Sequence, residues 1–135
     1  MRMPVVYALE PNLPAEEFRT VLIASTLGER RPVDDMDRLE RMLRRADIIV
    51  TARDDRMLVG VSRAISDFSY CCYLSDLAVA FSHQRQGIGK QLIEETRKAA
   101  GPQTGLVLVA APAAEGYYPK IGLASFPCFG IRSPR

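Results

Sequence analysis

Residues 74–112 constrain the fold more than any other part of the chain. An apolar run, LSDLAVA, passes through a polar stretch, FSHQRQG, into IGKQLIEETRKAA, whose apolar residues recur at helical spacing. A connector, GPQTG, then leads to GLVLVAAP, a continuous apolar run of the kind found in strands buried on both faces. Strand, helix and strand in this order form a βαβ unit. Its two strands lie parallel, because the crossover through a helix brings the chain back to the same end of the sheet. Ligands of such sheets bind beyond the carboxyl ends of the strands. QRQGIG, with Gly87 and Gly89, follows one of those ends, and Tyr117 and Tyr118 follow the other.

The flanking segments fit a mixed sheet built around this unit. MPVVYALE reads as a short first strand. Pro14 opens a helix over PAEEFRTVLIASTLG, where Glu16 and Glu17 suit the positive end of the dipole and Gly28 closes the run. Asp34 or Asp35 caps a second helix, MDRLERMLRRA, with Met36, Leu39, Met42 and Leu43 on one side. DIIVTARDDRMLVGVSRAISD gives two strands joined at Asp54-Asp55-Arg56, and YCCYLSDLAVAF gives the next. Beyond the βαβ unit, AAEGYYPKIG reads as a short helix stopped near Gly122, and LASFPCFGI as a final short strand. The predicted order is β-α-α-β-β-β-α-β-α-β. This is an α/β fold of the α+β mixed-sheet kind, a single domain over 1–135 with helices on both faces of a central sheet.

Charge and composition exclude several classes. A net charge of +2, with basic and acidic residues interleaved as in RLERMLRRAD, argues against nucleic acid as a partner. No run is long and apolar enough to span a bilayer, and MRMPVVYALEP is too broken for a signal peptide, which points to no membrane and a cytoplasmic location. Three cysteines, two of them adjacent at 71 and 72, do not have zinc spacing, and a single histidine rules out a multi-histidine centre. No metal is expected.

QRQGIGKQL invites comparison with two phosphate loops. A dinucleotide fingerprint needs a small residue where Leu92 stands, and a P-loop needs glycine at 84 and Ser or Thr at 91, where the chain has Gln84 and Gln91. Neither fits. The physics of an anion site remains: the first amides of a helix lack intrahelical partners, and the dipole favours negative charge there. Glycines at 87 and 89 let a diphosphate approach the backbone, and Arg85 and Lys90 add positive charge.

The wider pattern is more specific. Gln84-Arg85-Gln86-Gly87-Ile88-Gly89 after an apolar strand resembles the acetyl-CoA motif [QR]-x-x-G-x-[GA] of the GNAT superfamily of N-acetyltransferases. Ala114-Glu-Gly-Tyr-Tyr-Pro-Lys-Ile-Gly-Leu is similar to that family's A-x-x-[FY]-Y-x-x-x-G-F segment. The element order also matches the GNAT fold over almost the whole chain. The resemblance implies that Gln84, Arg85, Gln86, Gly87, Ile88, Gly89 and Lys90 hold the CoA pyrophosphate. It implies that Leu77, Ala78 and Val79 present their backbone to the pantetheine arm, in a gap where the two parallel strands part.

The implied reaction is attack of a primary amine on the acetyl thioester. Tyr118 matches the family's general acid, with core packing as its alternative, and Tyr117 takes a packing position. Asp76, the only carboxylate of its strand, is the candidate base; strand alternation would place it on the face of Leu74 and Ala78, and a structural acceptor role is the competing reading. His83 is expected to be solvated or to face the phosphates. The chain departs from the family at Ala110 and Ala111, where many members carry an Asn, and at Leu123, where Phe is usual. Leu27, Arg30, Arg31, Phe68 and Tyr70 are the residues expected around the acceptor. The expected function is therefore acetyl-CoA-dependent N-acetylation of a small-molecule amine, with a homodimer as one expected assembly. The alternative is an acyl-CoA-binding sensor or structural module with little turnover.

Overall fold

A computed structural model describes residues 4–134. Five strands form one sheet in the order β1-β2-β3-β4-β5: β1 (Val6–Leu9), β2 (Ile48–Asp54), β3 (Met57–Ser66), β4 (Cys71–Val79) and β5 (Gly105–Val107). The first three pairings are antiparallel and β4–β5 is parallel, as a helical crossover requires. The α/β mixed-sheet reading and the position of its βαβ unit are confirmed. Met3, at the start of the expected first strand, lies outside the described residues.

Helices α1 (Ala15–Ala24) and α2 (Met36–Arg44) cover one face, and α3 (Ile88–Ala100) covers the other; α4 (Tyr117–Lys120) is a single turn. Strand alternation divides the core accordingly. Ile48, Val50 and Ala52 of β2 pack with Leu92 and Ile93 of α3, whereas Ile49 joins Phe18 and Leu22 of α1 and Leu39 and Leu43 of α2. Gly60 lets α3 close on the sheet: a Cβ there would lie 3.1 Å from Leu92 and 3.2 Å from Ile88. A buried hydrogen bond between the Ser62 and Thr96 hydroxyls, 2.6 Å long, ties the same helix to β3.

Local chemistry sets most boundaries. Asp35, rather than Asp34, caps α2 by accepting from the Arg38 amide at 3.0 Å. Asp55 and Arg56, with φ of 49° and 73°, turn the β2–β3 hairpin. Gly122 (φ 97°) ends the short helix α4. Gly28 does not end α1, which stops at Ala24; it sits in a 3-10 turn over Leu27–Arg30.

Two strand expectations change. GLVLVAAP pairs only over Gly105–Val107, and it is half-exposed rather than buried on both faces, because β5 is the sheet edge. LASFPCFGI forms no strand: residues 123–134 carry no regular secondary structure, and Phe126, Phe129 and Ile131 are exposed. Pro127 removes a ladder donor from the middle of that run, and β5 offers it only a short edge. No helix among the described residues is long and apolar enough to cross a membrane.

Candidate active site

The β4–β5 ladder has three rungs, Cys71–Gly105, Cys72–Leu106 and Tyr73–Val107. Beyond Tyr73 the strands part, although β4 stays paired to β3 as far as Val79. The β5-facing edge of Leu74–Val79 therefore lines a gap with backbone N–H and C=O groups available to an extended ligand. Leu77 and Val79 turn their side chains to the α3 face, and Ala78 is buried against the α1–α2 layer. Only the main chain of Leu77–Val79 faces the gap edge.

Just past this edge the chain enters α3. Its first helical hydrogen bond runs from the Gln91 amide to the Gly87 carbonyl at 3.1 Å, so the amides of Ile88, Gly89 and Lys90 precede the helical ladder. The Gln84 side chain donates to the Val79 carbonyl at 3.0 Å and clasps the loop to the strand end. This explains a glutamine at the head of the motif: its side chain is structural, while the amides that follow are offered outward. Arg85 (φ 64°) and Gly87 (φ 83°) both take left-handed backbone, which curls the loop ahead of the helix. A Cβ on Gly87 would meet nothing within 4 Å, so the loop opens outward at that point. Arg85, Gln86 and Lys90 are exposed around it, and Ile88 is buried in the core and contributes only its amide. Open amides, a glycine facing free space and two exposed cations fit a diphosphate.

His83 is neither solvated nor turned outward. Its Nε2 lies 2.7 Å from Asp54 Oδ2 and its Nδ1 lies 2.8 Å from Ser82 Oγ. The histidine thus pins the loop to the end of β2. The sequence could not disclose this, because Asp54 is 29 residues away.

Tyr118 packs against the core on the α3 face, as do Leu77, Val79, Leu106 and Leu108, which flank the gap. Burial pushes its phenol above the ordinary tyrosine range, and the neighbouring Tyr117 adds to the shift. The two rings meet edge to face with centroids 5.3 Å apart. Tyr117 does more than pack. An ideal Cβ on Gly89 would lie 2.9 Å from its hydroxyl oxygen. Glycine at 89 is thus required first by Tyr117, and by any ligand after that.

This geometry revises the test of the loop. Gly89→Ala presses on the Tyr117 hydroxyl, and in a Tyr117→Phe background the nearest atom is the ring carbon at 3.7 Å. Gly89→Asp sets a negative charge against the anion site in either background. Calorimetry is expected to show acetyl-CoA affinity lowered roughly tenfold or more by Gly89→Asp. The loss from Gly89→Ala should shrink once Tyr117 is Phe. Unchanged affinity in Gly89→Asp removes the loop from the cofactor site.

Asp76 differs from expectation in position and in partners. Between Ala64–Leu74 and Arg63–Asp76 the β3–β4 register skips Ser75, a bulge that shifts the strand by one residue. Leu74 therefore faces α3, whereas Asp76 and Ala78 face the α1–α2 layer. Asp76 is completely buried, and its two oxygens accept from Arg31 Nε and Arg63 Nε. Arg31 also donates to the Ser75 carbonyl at 2.7 Å and to the Arg30 carbonyl at 2.8 Å, and Arg63 donates to the Ser75 hydroxyl at 3.0 Å. The aspartate is a clamp that holds the 27–35 loop to β4.

The residues expected around the acceptor are not brought together. Arg31 stands at the bulge with its guanidinium bound within the chain, while Arg30 is exposed in the adjoining 3-10 turn. Leu27 packs into the α1–α2 core. Phe68 and Tyr70 sit in the β3–β4 turn, five and three residues before Tyr73 and away from the gap. Sequence reasoning missed Tyr73, Val107 and Ile65, which lie at the gap itself; the signal was the β5 register, which no local pattern prints. Among the described residues, no three His, Cys, Asp or Glu side chains converge as metal ligands.

A mixed sheet that parts beside a helix started by glycines is the frame of an acyl-transfer domain, and family comparison agrees. The acetyltransferase (GNAT) domain matches residues 45–122, and the chain belongs to this family. Solved structures share the fold over nearly the full length. A probable acetyltransferase from meticillin-resistant Staphylococcus aureus is 22% identical, with 96% of this chain and 100% of that one covered and a TM-score of 0.77. A GNAT-family acetyltransferase from Streptococcus pneumoniae is 23% identical, with 98% of each chain covered and a TM-score of 0.75. An aminoglycoside N-acetyltransferase in complex with CoA is 17% identical, with 100% and 99% covered and a TM-score of 0.72. No curated protein sequence matches the chain.

Proposed function

We propose that this acetyltransferase uses acetyl-CoA as donor and transfers the acetyl group directly to a primary amine of a small molecule. The observation that carries the reading is the parting of β4 from β5 immediately beside the start of α3. One face of the gap holds a half-buried tyrosine and the other an anchored loop. The complex of a similar protein with CoA supports the donor, and that protein's action on an aminoglycoside supports a small acceptor.

In this reading the loop and helix-start amides that follow Gln84, with the Arg85 and Lys90 side chains, hold the pyrophosphate; the Gln84 amide itself donates to the Phe81 carbonyl at 3.4 Å. The backbone of Leu77–Val79 pairs with the pantetheine arm as a further strand would. Bound acetyl-CoA supplies the thioester carbonyl that the amine attacks. Tyr118 acts as general acid: burial keeps its phenol protonated, and it delivers that proton to the sulfur as the C–S bond breaks and the N–C bond forms. The proton lost by the amine passes to water, and water returns one to Tyr118.

Asp76 is a positioning residue in this scheme and not the base, because two guanidiniums occupy its oxygens.

Calorimetry with acetyl-CoA, followed by a thiol-release assay over a panel of amines, tests the reading. Saturable binding and amine-dependent thiol release are expected. Binding without release by any amine would support the binding-module alternative, and absence of binding would end both.

A further inference from the structure

The gap has an acceptor side whose chemistry nothing above assigns. Ile65, Tyr73 and Val107 are direct neighbours across three strands: Ile65 pairs with Tyr73, and Tyr73 pairs with Val107. Paired residues point to the same face of a sheet. Here the face is that of α1 and α2, because the preceding rung, Cys72–Leu106, packs on the α3 side. Neither helix covers the strip, and the three side chains are 49%, 41% and 48% exposed. Tyr73–Val107 is also the last rung before β4 and β5 part. The apolar strip therefore runs straight into the mouth of the acyl-transfer gap, on the face opposite Tyr118.

Carboxylates stand at the turn end of the strip, where Asp47 accepts from the Ser66 amide and Asp67 from the Cys71 amide. At the gap end, Arg31, Arg63 and Asp76 sit just beyond the bulge. The carboxylate, the only one within β4, has both oxygens occupied and is completely buried. An amine entering at the gap end meets two guanidiniums and a carboxylate whose oxygens they already occupy. An amine with an apolar body finds a floor for that body in the exposed side chains of Ile65, Tyr73 and Val107.

We propose that the acceptor is a small primary amine carrying an aromatic or other apolar group, which rests on the Ile65–Tyr73–Val107 strip while its nitrogen enters the gap. The proposal rests on the acetyltransferase reading given above. It narrows the acceptor to a class unlike the polycationic aminoglycosides.

The test uses the full chain in a thiol-release assay with 2-phenylethylamine and tyramine against spermidine, kanamycin and glucosamine. Expected values of kcat/KM for the apolar amines exceed those for each polar amine by about tenfold or more. Tyr73→Ser should lower kcat/KM for 2-phenylethylamine by about tenfold or more, mainly through KM, with the KM for acetyl-CoA unchanged. Tyr73→Phe should retain the wild-type value, and Ile65→Ser should act in the same direction as Tyr73→Ser. The proposal is overturned if a polar amine is used as well as the apolar ones, or if Tyr73→Ser leaves the KM for 2-phenylethylamine untouched. A second copy seated on the strip would also overturn it. Sedimentation would then show a wild-type dimer that Tyr73→Asp converts to monomer. Preference for polar amines with acetyl-CoA still bound sinks this proposal alone, whereas failure of acetyl-CoA to bind sinks it together with the functional reading.

Discussion

Tyr118→Phe is expected to lower kcat by about 10²–10⁴-fold, the range contributed by a positioned general acid. Phenylalanine keeps the ring that packs against the core on the α3 face and removes only the proton donor. Acetyl-CoA affinity and thermal stability should therefore stay close to wild type. The same assignment sets a pH dependence. A tyrosine acts as acid only while protonated, and burial raises the Tyr118 phenol above its ordinary 10.0. Its loss should appear as an alkaline fall in kcat that begins above pH 10, and the variant should lack that limb. Turnover in Tyr118→Phe equal to wild type would remove Tyr118 as the acid and leave it a packing residue.

Asp76→Ala is expected to destabilise the fold by about 3–5 kcal/mol, because it strands two guanidiniums that share one buried carboxylate. Urea unfolding at neutral pH measures the loss. Asp76→Asn keeps one oxygen acceptor and should lose less. The contrast between stability and activity separates a clamp from a base. A clamp predicts that the residual activity of the folded Asn variant tracks the looser 27–35 loop, with a raised KM for the amine. If Asp76→Asn were as stable as wild type and yet inactive at every amine concentration, a proton-accepting role would have to be restored.

The helix start at Ile88 and its end at Ala100 were legible in the sequence because both are local. Gly87 lies just before the first residue and Gly101 just after the last, and the apolar spacing between them is helical. The Asp55-Arg56 turn was legible for the same reason. The bulge at Ser75 was not. The letters of LSDLAV alternate in the same way whether or not one residue is skipped, and only pairing with Arg63 and Ala64 shows the skip. The consequence is large, since one residue of slip carries Asp76 from the face of Leu74 to the opposite one.

Contacts between distant segments were equally hidden. Arg31 reaches Asp76 across 45 residues, and Tyr117 settles over Gly89 from a separate helix. The reach of β5 and the fate of the last apolar run were decided by the sheet edge rather than by hydrophobicity.

The sequence by itself determined the βαβ unit, the glycine-started helix and the family, because these rest on neighbours in the chain: periodicity, turn residues and the spacing of a motif. The tertiary structure alone decided which face each β4 side chain takes and what occupies Asp76. It also decided which apolar residues line the mouth of the gap, since strand register and long-range ion pairs form only when remote segments are packed together.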